Sequence, residues 1–258
     1  MEFLDSHFHL MSEEFNEDRE DVLKRALEAG VKHLMLITLD NKETKEAIAF
    51  NQKHNHFLKI AAGIFPEDVD KVTDEYWQEF VSLAKNEEIS AIGEIGLEYH
   101  WVEDKSLRLK QRELFIRQIE LAKSLHKPYL VHSRDAIQDT YDIMKKYRGH
   151  GLLHCYSGSL EMAKEFIKLG FYIAIGGALT FKNARHTLSV VKNIDENYLL
   201  TETDSPYMTP VPYRGKRNEP SYIPYVVKKM AELKEISDEK MAKIIIDNWQ
   251  RFLKTSSV

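Results

Sequence analysis

The run Glu2-Phe-Leu-Asp-Ser-His-Phe-His-Leu10 sets the reading of the whole chain. Alternate side chains of an extended strand share a face, so His7 and His9 project together with Asp5 beside them. The same form, an apolar run closed by an acid or a histidine, returns as Ile89-Ser-Ala-Ile-Gly-Glu94, Tyr129-Leu-Val-His132, Gly151-Leu-Leu-His154 and Tyr198-Leu-Leu-Thr-Glu-Thr-Asp204. A lone His-x-His pair says little, because histidines are common at strand ends. Six nitrogen and oxygen donors on five strand-like segments (His7, His9, Glu94, His132, His154 and Asp204) point to a two-metal hydrolase.

Working outward from these runs, strand-like segments occupy 2–9, 31–38, 57–64, 89–95, 128–132, 151–155, 171–176 and 198–203. Amphipathic stretches lie between them, among them Asp18 to Ala29, Asn41 to His54 and Ser106 to His126. From Leu107 to Leu121 the apolar residues recur at three- and four-residue spacing, as a helix buried on one face requires. Gly30 and Gly170 stand where helices should stop. Eight strands alternating with helices predict a single (β/α)8 TIM-type barrel with an additional C-terminal helix from about Ser237 to Phe252. A doubly wound open sheet is the alternative. No Pro/Gly/Ser-rich linker interrupts the chain, so residues 1–258 read as one domain. In such barrels the active site lies at the C-terminal ends of the strands, where the six donors fall.

Composition fits this picture. The chain has 258 residues, 43% hydrophobic and 30% charged, enough to bury a large core. A net charge of −5 supplies no general basic surface, so any nucleic-acid contact must be local or metal-assisted. A single cysteine, Cys155, leaves no internal disulfide framework. The first residues lack the pattern of a secretory signal, and no apolar run approaches the roughly 20 residues of a membrane span. The expectation is a cytoplasmic protein that does not associate with membranes.

Imidazoles with carboxylates suit zinc, manganese, iron or nickel, whereas magnesium favours oxygen alone. A carboxylate can give one oxygen to each of two cations, and Glu94 is the central one. The expected division gives His7, His9 and Asp204 to one cation and His132 and His154 to the other, with Glu94 bridging.

The stretches Asp5-Ser-His-Phe-His9, Gly93-Glu-Ile-Gly-Leu-Glu-Tyr-His100, Val131-His-Ser-Arg-Asp135, His154-Cys-Tyr-Ser-Gly158, Glu202-Thr-Asp-Ser-Pro206 and Arg214-Gly-Lys-Arg-Asn-Glu-Pro220 resemble the TatD family of metal-dependent deoxyribonucleases, within the amidohydrolase-like barrels. The resemblance spans essentially one complete domain. It implies a barrel, two divalent cations (magnesium, manganese, zinc or similar) on the same six residues, and hydrolysis of DNA phosphodiester bonds through a metal-activated water. Two positions depart from the pattern: Phe65 stands where the family often has histidine, and Glu98 where it usually has aspartate.

The expected activity is thus a deoxyribonuclease, preferably an exonuclease on single-stranded or end-exposed DNA. Asp204 would be the general base and Arg214 and Arg217 the phosphate contacts, while Asp5 and Glu202 would orient ligands. Tyr99-His100-Trp101 serves equally well as a base-stacking surface or a packed lid. The competing reading is an ester or amide hydrolase such as an aminoacyl-tRNA deacylase, since one barrel supports many chemistries. A non-catalytic, metal-stabilised nucleic-acid-binding protein is the third.

Overall fold

Hydrophobic runs and glycine stops become alternating strands and helices in the computed structural model, which describes residues 1–254. The strands are β1 (Phe3–Phe8), β2 (Val31–Thr38), β3 (Lys59–Ala62), β4 (Ile89–Glu98), β5 (Tyr129–Arg134), β6 (Gly151–Leu153), β7 (Tyr172–Ile175) and β8 (Leu199–Thr201). The helices are α1 (Arg19–Glu28), α2 (Asn41–Lys53), α3 (Asp74–Ala84), α4 (Lys105–Ser124), α5 (Ile137–Tyr147), α6 (Leu160–Lys168), α7 (Arg185–Asn193), α8 (Ile223–Lys234) and α9 (Asp238–Leu253). The strands follow the order β1 to β8 in one sheet, each beside its neighbour in sequence. That order is the (β/α)8 TIM-type barrel and excludes a doubly wound sheet, whose strand order reverses partway.

The chain forms two compact units, one of residues 1–36 with 154–252, the other centred on 37–153. In the first, β8 meets β1 through residues that matter later. Asp204 N donates to His7 O at 2.9 Å, His9 N to Ser205 O at 2.9 Å, and Thr201 Oγ1 to Leu4 O at 2.7 Å. The additional C-terminal helix α9 buries Met241, Ala242, Ile245, Trp249 and Phe252 along one stripe. Each large apolar side chain of this kind contributes roughly 1.5–3 kcal/mol when fully buried. Asn248 on the same stripe donates to the carbonyls of Glu196 (2.8 Å) and Leu199 (2.7 Å), which seats α9 against the start of β8.

In the second unit, α4 does two jobs. It buries Leu114, Phe115, Ile119 and Ala122, and it also buries two glutamines that hold the loops beyond strand ends. Gln118 closes a two-way pair with Ile64 (2.8 and 3.1 Å), just before Phe65, and Gln111 Oε1 accepts from Glu98 N at 3.1 Å. Asp40, Thr73 and Asp104 cap α2, α3 and α4 by accepting from backbone N–H groups of the first turn.

The predicted boundaries shift most at β4, which runs on to Glu98 rather than ending at residue 95. Its extra residues pair with β5 in the register Gly96↔His132, Leu97↔Ser133 and Glu98↔Arg134. Only glycine fits at position 96. It has φ +145°, and a Cβ there would stand 2.0 Å from the His132 carbonyl oxygen. Strands β6 and β8 are shorter than predicted, because the chain turns away at Cys155 (φ 44°) and Asp204 (φ 52°).

Candidate metal centre

His7, His9 and Asp204 converge in the first unit. His7 and His9 leave β1 on one face, and the Asp204 N–H bond to His7 O brings the carboxylate to them. His7 Nε2 lies 3.2 Å from His9 Nε2, and Asp204 Oδ1 lies 3.8 and 3.4 Å from the two nitrogens. Three acceptor-capable atoms facing one another suit a shared cation. Ligands placed about 2.1 Å from one cation stand about 3.0–3.4 Å apart; the separations about His9 fall in that range, and the His7–Asp204 one is wider at 3.8 Å. His7 and His9 are buried, and burial works to raise the Asp204 pKa. His9, His154 and His7 outweigh it and hold the carboxyl below its usual range.

His154, just past β6, stacks on His7 with ring centroids 3.9 Å apart and an interplanar angle of 9°. With Glu202 these two histidines form a second group whose donor atoms lie within 4.8 Å of one another. Glu202 also accepts the backbone N–H of Cys155. It therefore fixes the turn that carries His154. Asp5 does similar work on the other side: its carboxylate accepts from His7 N (3.2 Å), Thr203 N (2.9 Å) and Thr203 Oγ1 (2.5 Å). Burial pushes the Asp5 pKa up to about 7, with these donors pulling the other way.

In the second unit, Glu94 and His132 lie side by side on β4 and β5, with Glu94 Oε1 2.8 Å from His132 Nδ1. The opposite ring nitrogen, Nε2, is 3.1 Å from Glu98 Oε2. Burial alone would depress the imidazole pKa, but the two carboxylates hold it up at about 9 in the metal-free protein. Phe65, at the position where the resemblance leads one to expect histidine, packs edge-on against the His132 ring at 5.1 Å.

The Arg214–Pro220 segment divides its labour in a way the sequence does not reveal. Arg217 was expected to grip phosphate, but its guanidinium closes on Asp18 through both terminal nitrogens (2.8 and 2.7 Å) and on Glu14 O (2.6 Å). Arg25 joins the same cluster through Asp18 and Glu219. Asn218, which sequence reasoning passed over, braces the Asp204 segment: Nδ2 donates to Thr203 O (2.9 Å) and Tyr207 O (2.6 Å). Arg214 is different. It is exposed, its guanidinium lies 3.7 Å over the Phe181 ring, and among the described residues it makes no hydrogen bond.

Trp101 is 66% exposed on the loop after β4. His100 stands edge-on to it at 4.4 Å, and the Arg134 guanidinium lies 5.3 Å from its ring. Cys155 is half-buried at the strand-ending turn. No helix among the described residues is long and apolar enough to cross a membrane.

Buried imidazole and carboxylate clusters at the strand ends of a (β/α)8 barrel define a metal-dependent hydrolase, and the comparisons agree. A family model described as TatD related DNase matches residues 4–254, and the chain belongs to that family. It is 40% identical over 253 residues to an uncharacterized metal-dependent hydrolase of Bacillus subtilis, YabD, covering 97% of this chain and 98% of the relative. It is 34% identical over 259 residues to the uncharacterized metal-dependent hydrolase YcfH of Escherichia coli, covering 97% and 95%. Among solved structures, the TatD homolog YjjV of Escherichia coli superposes with a TM-score of 0.90 at 28% identity, over 98% of each chain.

Proposed function

We propose that this protein hydrolyses DNA phosphodiester bonds, trimming single-stranded or end-exposed DNA, with two divalent cations held by His7, His9, Glu94, His132, His154 and Asp204. The observation that carries this reading is the convergence of His7, His9 and Asp204 within 3.2–3.8 Å of one another, in a chain of a DNase-related family. Glu94 would be the carboxylate shared between the cations. Its carboxylate beside His132 Nδ1, at the C-terminal part of a barrel strand, supports its holding a cation together with that histidine.

When bound, the cations would screen phosphate charge and lower the pKa of an attacking water. Everything else falls to the protein. Asp204, kept ionised by its histidines, takes the water's proton on a carboxylate oxygen. Arg214, held flat against Phe181, offers its N–H groups to a phosphate oxygen. Arg217 holds that loop to α1 through Asp18 and acts on the substrate only by placing Arg214. The exposed ring of Trp101 suits an unpaired base, which stacks without demanding a particular sequence.

The test is a digest of end-labelled single- and double-stranded DNA by metal-reconstituted protein, with carboxylic esters and an aminoacyl-tRNA assayed alongside. Stepwise shortening from one end is the expected product pattern. Cleavage of the esters with intact DNA would transfer the protein to the ester-hydrolase reading.

A further inference from the structure

Glu98 is nearly fully buried, yet its carboxylate faces two different sets of donors. Oε2 lies 3.1 Å from His132 Nε2. Oε1 accepts from the backbone N–H groups of His100 (2.7 Å) and Trp101 (3.3 Å). The residue itself is fixed by the bond from its own N–H to Gln111. We infer that Glu98 is a positioning residue: it selects Nδ1 of His132 as the metal-binding nitrogen and ties that choice to the backbone of the Trp101 loop.

The reasoning is one of donor and acceptor counting. A neutral imidazole has one N–H and one lone pair. An ionised carboxylate accepts and never donates, and each ring nitrogen faces one, so a cation that binds His132 takes the place of one N–H while the other stays with its carboxylate. Nδ1 stands beside Glu94 Oε1, the second proposed ligand, so that is the side on which a cation would replace the N–H, and Glu98 keeps the N–H at Nε2. A carboxylate behind a metal-binding histidine typically affects metal affinity about 10–100-fold. Glutamate reaches both sets of donors because each oxygen serves one of them. Glutamine could not: its amide has a single oxygen, so its NH2 would have to face either the His132 N–H or the two backbone N–H groups. One side of the link must break.

The inference rests on the reading of His132 as a metal ligand, and the experiment separates the two. Zinc affinity is measured by chelator competition for the wild type, Glu98→Gln and His132→Ala. Histidine-labelled, zinc-loaded wild type is examined by 15N NMR, and Trp101 emission is assigned with Trp101→Phe. We expect zinc on Nδ1 and a proton on Nε2 of His132 in the wild type. In Glu98→Gln we expect zinc binding about 10–100-fold weaker and a shift in Trp101 emission. Zinc on Nε2 in the wild type overturns the inference whether or not any variant folds. If His132→Ala loses zinc while Glu98→Gln binds within twofold of the wild type, the role of Glu98 fails and the ligand assignment stands. If His132→Ala binds zinc as the wild type does, both fail.

Discussion

Asp204 lies three residues beyond the end of β8, in left-handed backbone, with its carboxylate turned to His7 and His9. Asparagine tolerates that conformation as well as aspartate does, so Asp204→Asn tests charge with little disturbance of the fold. The variant should lose on the order of 10²-fold or more in turnover and keep most of its DNA affinity, with metal content measured on the same sample. Near-normal hydrolysis at full metal occupancy would remove Asp204 from the role of base. The two arginines should separate in the same assays. Arg214→Ala should raise KM and make the salt dependence of DNA binding shallower by about one contact, because one fewer phosphate is neutralised. An unchanged salt slope would leave Arg214 a surface residue stacked on Phe181.

At the level of elements, the pairing of β4 with β5 sets the position of His132, and Gly96 permits it. Gly96→Ala would place a methyl group against the His132 carbonyl in backbone that L-residues rarely adopt. The cost should be about 2–5 kcal/mol by urea denaturation, and less than 0.5 kcal/mol would contradict the register described above. A second element, the loop after β8, is pinned to the start of α1. The hydrogen bond from Arg217, opposed by burial and aided by Arg25, draws the Asp18 pKa down to about 2. An unfolded aspartate titrates near 3.9. The stability contributed by Asp18 is therefore complete above about pH 4 and is lost as pH falls through about 2. Arg217→Ala should raise the midpoint of acid unfolding, and an unchanged acid limb would show that the ion pair contributes nothing.

These two elements also mark where sequence reading stops. Apolar runs gave the starts of the strands, but β4 was cut short at residue 95 because Gly96 and Glu98 look like loop residues until β5 is seen beside them. Arg217 and Asp18 are 199 positions apart, so nothing local distinguishes a paired arginine from a phosphate contact. Buried glutamines on an otherwise apolar helix face, such as Gln111 and Gln118, were a readable sign that α4 holds backbone at the strand ends.

For the molecule as a whole, eight regular alternations of strand and helix left few topologies open, and the sequential strand order is the one they favour. The donor residues were legible for the same reason: each closes an apolar run. Part of their grouping was legible too, since His7, His9 and Asp204 gather as expected, but the stacking of His154 beside them was not. His154 stacks on His7 and shares a donor cluster with Glu202, a proximity that depends on how β6 ends. One barrel fold supports many chemistries, so the bond that is cut is set by the site and not by the fold.

The central claim joins metal content to DNA cleavage, so the two should be measured together. Protein stripped with a chelator is titrated with manganese or zinc, and the rate of oligonucleotide hydrolysis is followed against the metal bound per chain. The account predicts no cleavage by the stripped protein and a rate that rises until about two cations are bound. Glu94→Gln should weaken retention of both. DNA cleavage that survives complete metal removal, or DNA left intact at full occupancy while a carboxylic ester is hydrolysed, would contradict it.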